Sequence, residues 1–385
     1  MLAWQLQLLT NELVPDQRVP PDPAMPRIPI VLKSTSVMPL VGVVLLMAHG
    51  MGANHAWLAG LWVIALIGTI HSAVHHAEVV AHKVGEPYGT LVLALAITVI
   101  EVALIVSLMV SGGPATAALA RDTVFAAVML ILNGMIGVCL LVGASRHHEQ
   151  RFRLHGVNAA LTTLAAIAVL TLVLPNFTTS VPGPVYSNSQ LLFVALVTLI
   201  LYGAFVMVQT VRHRDYFLPG HDAADSEIHA APPTRFQAGL SAAWLLLGLG
   251  VVVLLAKLLD PYIETLVAQS GAPKALVGII IAAVVLLPEG WAAFRAARAN
   301  RLQTSLNLAL GSALASIGLT IPVVAVVSVV LQWPLSLGID TKSTVLLLLS
   351  LFVTSLSLGT GRTTVLHGAI HLVLLATYIF TTIVP

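Results

Sequence analysis

Apolar residues along this chain do not alternate with polar ones; they run in blocks separated by short polar joints. A block of about 20 apolar residues is what a helix needs to cross ~30 Å of hydrocarbon. On that measure the chain holds eleven spans, at 37–51, 57–81, 85–111, 122–144, 155–175, 190–211, 238–259, 273–296, 303–331, 343–359 and 363–383. The pattern predicts an all-α polytopic membrane protein. Residues 1–36 read as a cytoplasmic, Pro-rich tail, extended by the prolines between Val14 and Ile30 and without the basic, apolar and small-residue succession of a signal peptide.

Charge in the joints orients the spans, because Lys and Arg are retained on the cytoplasmic side. With eleven spans, the N-terminus shares a side with every loop that follows an even-numbered span. Fourteen Lys and Arg fall on that side, from Arg18 to Arg362, against Arg121, Lys274 and Lys342 on the other, with Lys257 inside a span. This bias predicts a cytoplasmic N-terminus and an external C-terminus.

After the first span come five spans (57–211), a polar linker (212–236) and five more (238–383). An odd number per group makes the second group enter the membrane from the opposite face, the inverted-repeat plan that puts a substrate site at the midplane between the groups. Residue spacing agrees. Glu101 and Glu289 each fall in the second helix of their group, Thr90 and Gly278 each lie eleven residues earlier, and Ala94 and Ala282 each lie seven earlier.

Composition narrows the class. Charged residues are 9% of the chain and the mean hydropathy is +0.96, against roughly 25% charged in soluble domains. A formal charge of +2 spread over short joints argues for no nucleic-acid partner. The single cysteine, Cys139, excludes an intrachain disulfide. The bilayer is one partner, and the sequence leaves oligomeric state open, a homo-oligomer included.

Against this apolar background the acids stand out. An ionised side chain at the bilayer midplane costs roughly 2.5–3.5 kcal/mol, so such groups face a bundle interior and mark ion paths. Glu101 and Glu289 are therefore the expected cation- and proton-binding pair, the metal-ligating carboxylates of a transport site. Hard cations want six to eight oxygens, and Thr98, one turn before Glu101, with Asn133, Asn307, Ser312 and Ser316 from neighbouring helices, are candidate auxiliary ligands. Pro288 removes a helical hydrogen bond beside Glu289, which predicts a broken helix lining a cavity. Glu78 and Glu264 precede the two central acids by 23 and 25 residues; they are candidates for gating or proton entry, with a solvated helix end as the alternative.

The histidines carry less. His71, His75, Glu78 and His82 share one helical face at the cytoplasmic end of a span, where imidazoles meet water and headgroups, and no HExxH occurs to support a membrane metalloprotease. His367 and His371 form a similar pair read as packing. The 213–233 loop holds Asp215, Asp222, Asp225 and Glu227 and reads as a solvated linker or a sensor of cytoplasmic calcium or pH.

Residues 75–105, with HHAEVVAHKVGEPYGTL, and 277–322, with LLPEG and RANRLQTSLNLALGSALASIGLTIP, resemble the bacterial calcium (sodium, potassium)/proton antiporters of the calcium/cation antiporter superfamily. The likeness runs from residue 37 to the end. It implies one extra N-terminal helix plus two inverted five-helix repeats, a bacterial inner-membrane location, and a central acid in each repeat, matched by Glu101 and Glu289. Calcium/proton exchangers of that superfamily typically carry a Gly-Asn pair shortly before each acid, where this chain has AITVIE and VVLLPE. The resemblance therefore carries antiport further than calcium.

The expected function is secondary transport, not enzymatic turnover: cytoplasmic calcium, sodium or potassium exchanged for external protons by alternating access, with no cofactor. A Na⁺(K⁺)/H⁺ antiporter with little calcium activity is the near alternative; a cation channel and a His-liganded membrane metalloenzyme are more distant ones.

Overall fold

Among the described residues, eleven helices follow the eleven apolar blocks in order. The computed structural model describes residues 34–52, 57–85, 88–218, 233–269, 273 and 275–384. The tail before residue 34 and linker residues 219–232, with Asp222, Asp225 and Glu227, lie outside the described residues. The helices are α1 (Ser34–Gly50), α2 (Leu58–Val84), α3 (Tyr88–Gly112), α4 (Leu119–His147), α5 (Leu154–Phe177), α6 (Asn188–Arg212), α7 (Arg235–Gln269), α8 (Ala275–Arg298), α9 (Leu302–Leu331), α10 (Thr341–Leu358) and α11 (Val365–Ile383). Among the described residues nine of them are long and apolar enough to cross a membrane, and Ser36–Gly50 and Thr98–Val110 are shorter apolar helices.

Helix ends show why the joints sit where they do. Ser187 and Gln190 form a reciprocal capping box at the start of α6, which satisfies two of the backbone donors every helix start leaves free. Asp340 accepts the Ser343 backbone N–H at 2.6 Å and starts α10. Helix α8 stops where Asn300 takes a left-handed backbone (φ 59), a common helix terminator. The largest boundary difference is in α7: the apolar pattern ends at 259, yet the helix continues through Pro261 to Gln269. At 1.5 Å per residue it is longer than the hydrocarbon is thick, so its last turns need not be apolar.

Helices α4 and α9 are the most enclosed, and their contacts organise the rest. Helix α9 packs against α3, α5, α6 and α8; α4 packs against α8 and α11; α2 lies along α7. Two close approaches set the geometry. A Cβ on Gly278 of α8 would stand 3.0 Å from the Asp122 carbonyl carbon and 3.1 Å from the Thr123 nitrogen, so α8 touches the backbone of α4. A Cβ on Gly368 of α11 would lie 2.7 Å from the Leu141 Cα, on the other flank of α4. Small residues permit such approaches where no water drives helices together.

Helix α4 is not regular: Leu130–Met135 form a π-helical turn, and π turns recur at functional sites. At the arginine-rich end, β1 (Gln150–Arg151) pairs antiparallel with β2 (Arg362–Thr363). This ribbon ties the loop before α5 to the loop before α11. Gln150 fastens it to α8 by donating to the Ala297 carbonyl at 2.9 Å. Cys139 is a buried free thiol.

Candidate functional site

The two predicted acids are both enclosed, Glu101 at 4% and Glu289 at 6% exposure, near the middle of α3 and α8. They sit on two helices that touch each other and that both pack on α9. Packing brings their helices together: α3 rests on α9, and α8 rests on both α9 and α4. Their surroundings differ. Ser316 of α9 donates a hydrogen bond from its hydroxyl to Glu101 Oε1, whereas both carboxylate oxygens of Glu289 are buried without a hydrogen-bond partner among the described residues. Buried polar atoms are nearly always satisfied, and exceptions point to strain, chemistry or an ion.

Hydroxyls flank the pair. Thr98 is buried one turn before Glu101. On α9, Ser312 is half-buried one turn before Ser316, and Thr320, fully buried with no hydroxyl partner among the described residues, lies one turn after it. The sequence reading stopped at Ser316 and missed Thr320, although the i, i+4, i+8 spacing of Ser312, Ser316 and Thr320 puts all three on one face.

The two asparagines are employed elsewhere. Asn133, in the π turn of α4, donates to the Ser350 hydroxyl of α10 at 2.8 Å, and its carbonyl oxygen meets His371 Nδ1 of α11 at 3.4 Å. Its amide thus ties α4 to the last two helices and has no bond to either glutamate. Asn307 accepts from Gln303 at 2.9 Å and donates to the Phe217 carbonyl at 2.5 Å. It lies nine residues before Ser316, about 13 Å along the helix axis, too far to reach the carboxylates. Residue type suggests a ligand in both cases; in this structure both amides join helices or loops instead of contacting a glutamate. His371, read as packing, is fully buried in that joinery, and His367 takes part in the cap at the start of α11.

Pro288 does not break its helix, since α8 runs unbroken from Ala275 to Arg298. The bond a proline deletes is to the carbonyl four residues back, so the released acceptor is that of Val284 and not one beside Glu289. Val284 and Pro288 line a cavity of about 500 Å³ between α2 and α8. His71, His75, Glu78 and Arg295 line the same cavity. Glu78 is thus an exposed wall residue of a recess that also reaches Pro288, the sequence neighbour of Glu289. His71, His75 and Glu78 do not form a three-ligand metal group among the described residues. The side chain of Glu264 lies outside the described residues.

What this arrangement can do is limited by its atoms: two enclosed carboxylates, one hydroxyl bonded to Glu101 and others a turn away, all at mid-helix depth. A cation or protons would neutralise the pair.

Comparison with known proteins agrees in kind. A family model described as sodium/calcium exchanger protein matches residues 54–211 and 240–384. The ionic transporter y4hA of Sinorhizobium fredii is 48% identical over 353 residues, 91% of this chain and 95% of its own. The sodium-potassium/proton antiporter ChaA of Escherichia coli is 36% identical over 355 residues, 91% of this chain and 96% of its own. Among solved structures, that of the H⁺/Ca²⁺ exchanger CAX superposes with a TM-score of 0.68 over 90% of this chain and 87% of that one; at 15% identity this is a likeness of fold.

Proposed function

The chain belongs to the sodium/calcium exchanger family, and from that premise we propose that it exchanges cytoplasmic cations for external protons at one site shared by Glu101 and Glu289. The observation that carries the reading is the enclosed pair itself: Glu289 has no hydrogen-bond partner for either oxygen among the described residues, and Glu101 has Ser316. A dehydrated carboxylate pair repels itself and is stable only when occupied. A cation or protons can supply that charge, but not both at once, and this competition is the coupling.

Alternating access follows from the inverted-repeat reading. One family model matches both segments of the chain, and the contacts are reciprocal: α3 on α9 answers α8 on α4, and α6 on α9 answers α11 on α4. These observations support two five-helix units that rock about a fixed midplane site. The bias of arginines toward the ribbon end supports a cytoplasmic N-terminus in a bacterial inner membrane. The recess lined by Glu78, His75 and Arg295 then opens on the cytoplasmic side and serves ion or proton entry.

Sodium and potassium stand beside calcium as substrates. Calcium wants six to eight oxygens, and here neither asparagine reaches the acids, so hydroxyls and water must complete the shell. The name of the Escherichia coli relative favours the same monovalent reading.

Proton flux in everted vesicles, with calcium, sodium and potassium added in turn, tests the proposal. Glu101→Gln and Glu289→Gln should each abolish proton-coupled flux for every cation that the unaltered protein moves. Full flux in either variant refutes the shared site, and cation flux without an opposing proton gradient would make the protein a channel.

A further inference from the structure

Far from the glutamates, at the arginine-rich end, a second cavity of about 480 Å³ lies beside the first turn of α5. Arg151, Arg153, His155, Tyr216 and Arg362 line it. In the ribbon, Arg151 and Arg362 are direct cross-strand partners. The neighbouring pair, Gln150 and Thr363, is buried and the arginine pair exposed, so both arginine side chains leave the ribbon on one face. Like charges opposed in this way destabilise an antiparallel pair. Arg153, two residues on in extended backbone (φ −85, ψ 118), continues the same alternation.

Countercharge is scarce. Glu149 approaches Arg362 at 3.5 Å, with both side chains largely in solvent. Among the described residues no carboxylate pairs with Arg151 or Arg153; the Arg153 guanidinium donates instead to the Asp215 backbone carbonyl. Three guanidinium groups around one recess, with Glu149 on Arg362 the ion pair they make among the described residues, suit a compact anion of several oxygens, which arginine forks grip in bidentate fashion.

We propose that this cavity binds a phosphate group, held between Arg151 and Arg362. Leu154, on the cavity wall, is the first residue of a membrane-spanning helix, so an anionic phospholipid headgroup and a soluble phosphate can both reach it. Because the ribbon joins the loop before α5 to the loop before α11, a bound phosphate removes the repulsion within it and braces those two loops together.

Delipidated full-length protein, titrated separately with phosphatidylglycerol, phosphatidylcholine and inorganic phosphate, provides the test by native mass spectrometry and thermal melting. Phosphatidylglycerol or phosphate should bind and raise the melting temperature, phosphatidylcholine should not, and added salt should weaken the effect. At roughly 1 kcal/mol per arginine, Arg151→Gln with Arg362→Gln should weaken binding about thirty-fold while cation-driven proton flux persists. A response to phosphatidylglycerol alone supports the proposal with a lipid as ligand; an equal response to inorganic phosphate supports it with a soluble one. Binding no better than to phosphatidylcholine, or equal binding by the double variant, overturns it. Should that variant not fold, Arg151→Lys with Arg362→Lys keeps the charge without the fork, and unchanged affinity there overturns the proposal as well.

Discussion

Replacing Ser316 with alanine isolates its hydrogen bond to Glu101. The hydroxyl and the Glu101 oxygen it contacts are both buried, at 1% and 4% exposure, so no bulk water takes its place. A hydrogen bond to a charged group contributes about 1.5–3 kcal/mol, and 1.4 kcal/mol is a factor of ten in an equilibrium. Ser316→Ala should therefore raise the cation concentration for half-maximal exchange roughly ten- to hundred-fold. Maximal flux at saturating cation should fall much less, because both acids remain. Proton flux in proteoliposomes against calcium, sodium and potassium concentration measures both quantities. A half-saturation within about twofold of the unaltered protein for every cation would show that the bond does not bear on the charged site, and the reasoning from burial would fail.

Three further outcomes follow from residues away from that bond. Asn307→Ala should leave cation half-saturation within about twofold while lowering thermal stability by about 1 kcal/mol, since its amide is occupied by Gln303 and Phe217; a large affinity loss would restore it as a ligand. Gly368→Ala should destabilise by about 1–3 kcal/mol, seen as a lower melting temperature in detergent, because the new Cβ meets the backbone of Leu141 and not a flexible side chain. Burial pushes the Asp340 carboxyl up, but bonds from Ser343 and the charges of Lys342 and Arg121 outweigh it and hold the group below its usual 3.8. A lowered acid stabilises above its unfolded pKa and loses that contribution as pH falls through the folded one. The cost of Asp340→Ala, about 1 kcal/mol, should thus be full at neutral pH and vanish in strongly acid melts.

Much of the site was legible because a lone acid in an apolar block has few explanations. Glu101 and Glu289 needed only the hydropathy pattern to be singled out, and Ser316 only its place in a small-residue helix. Asn133 and Asn307 are less legible for the opposite reason: an amide suits a cation, a cap or a helix joint equally well, and the sequence does not say that here they bond to Ser350, Gln303 and Phe217. Pro288 was read as a break, yet a helix packed on both flanks keeps its path and merely frees the Val284 carbonyl. The π turn at Leu130–Met135 and the two-residue ribbon leave no periodic trace that short-range pattern reading can detect.

The sequence by itself determined the number and order of the helices, the side on which the arginines gather and the two acids that must find charge partners, because the cost of polar groups in hydrocarbon is paid residue by residue. Only the tertiary structure decided that both acids are enclosed on helices packed on α9, that Ser316 bonds to Glu101, that Glu78 lines a recess beside Pro288, and that three arginines surround a second cavity. Those facts depend on which helix faces which across hundreds of residues. Packing at glycines such as Gly278 and Gly368 fixes the facing, and hydropathy does not encode it.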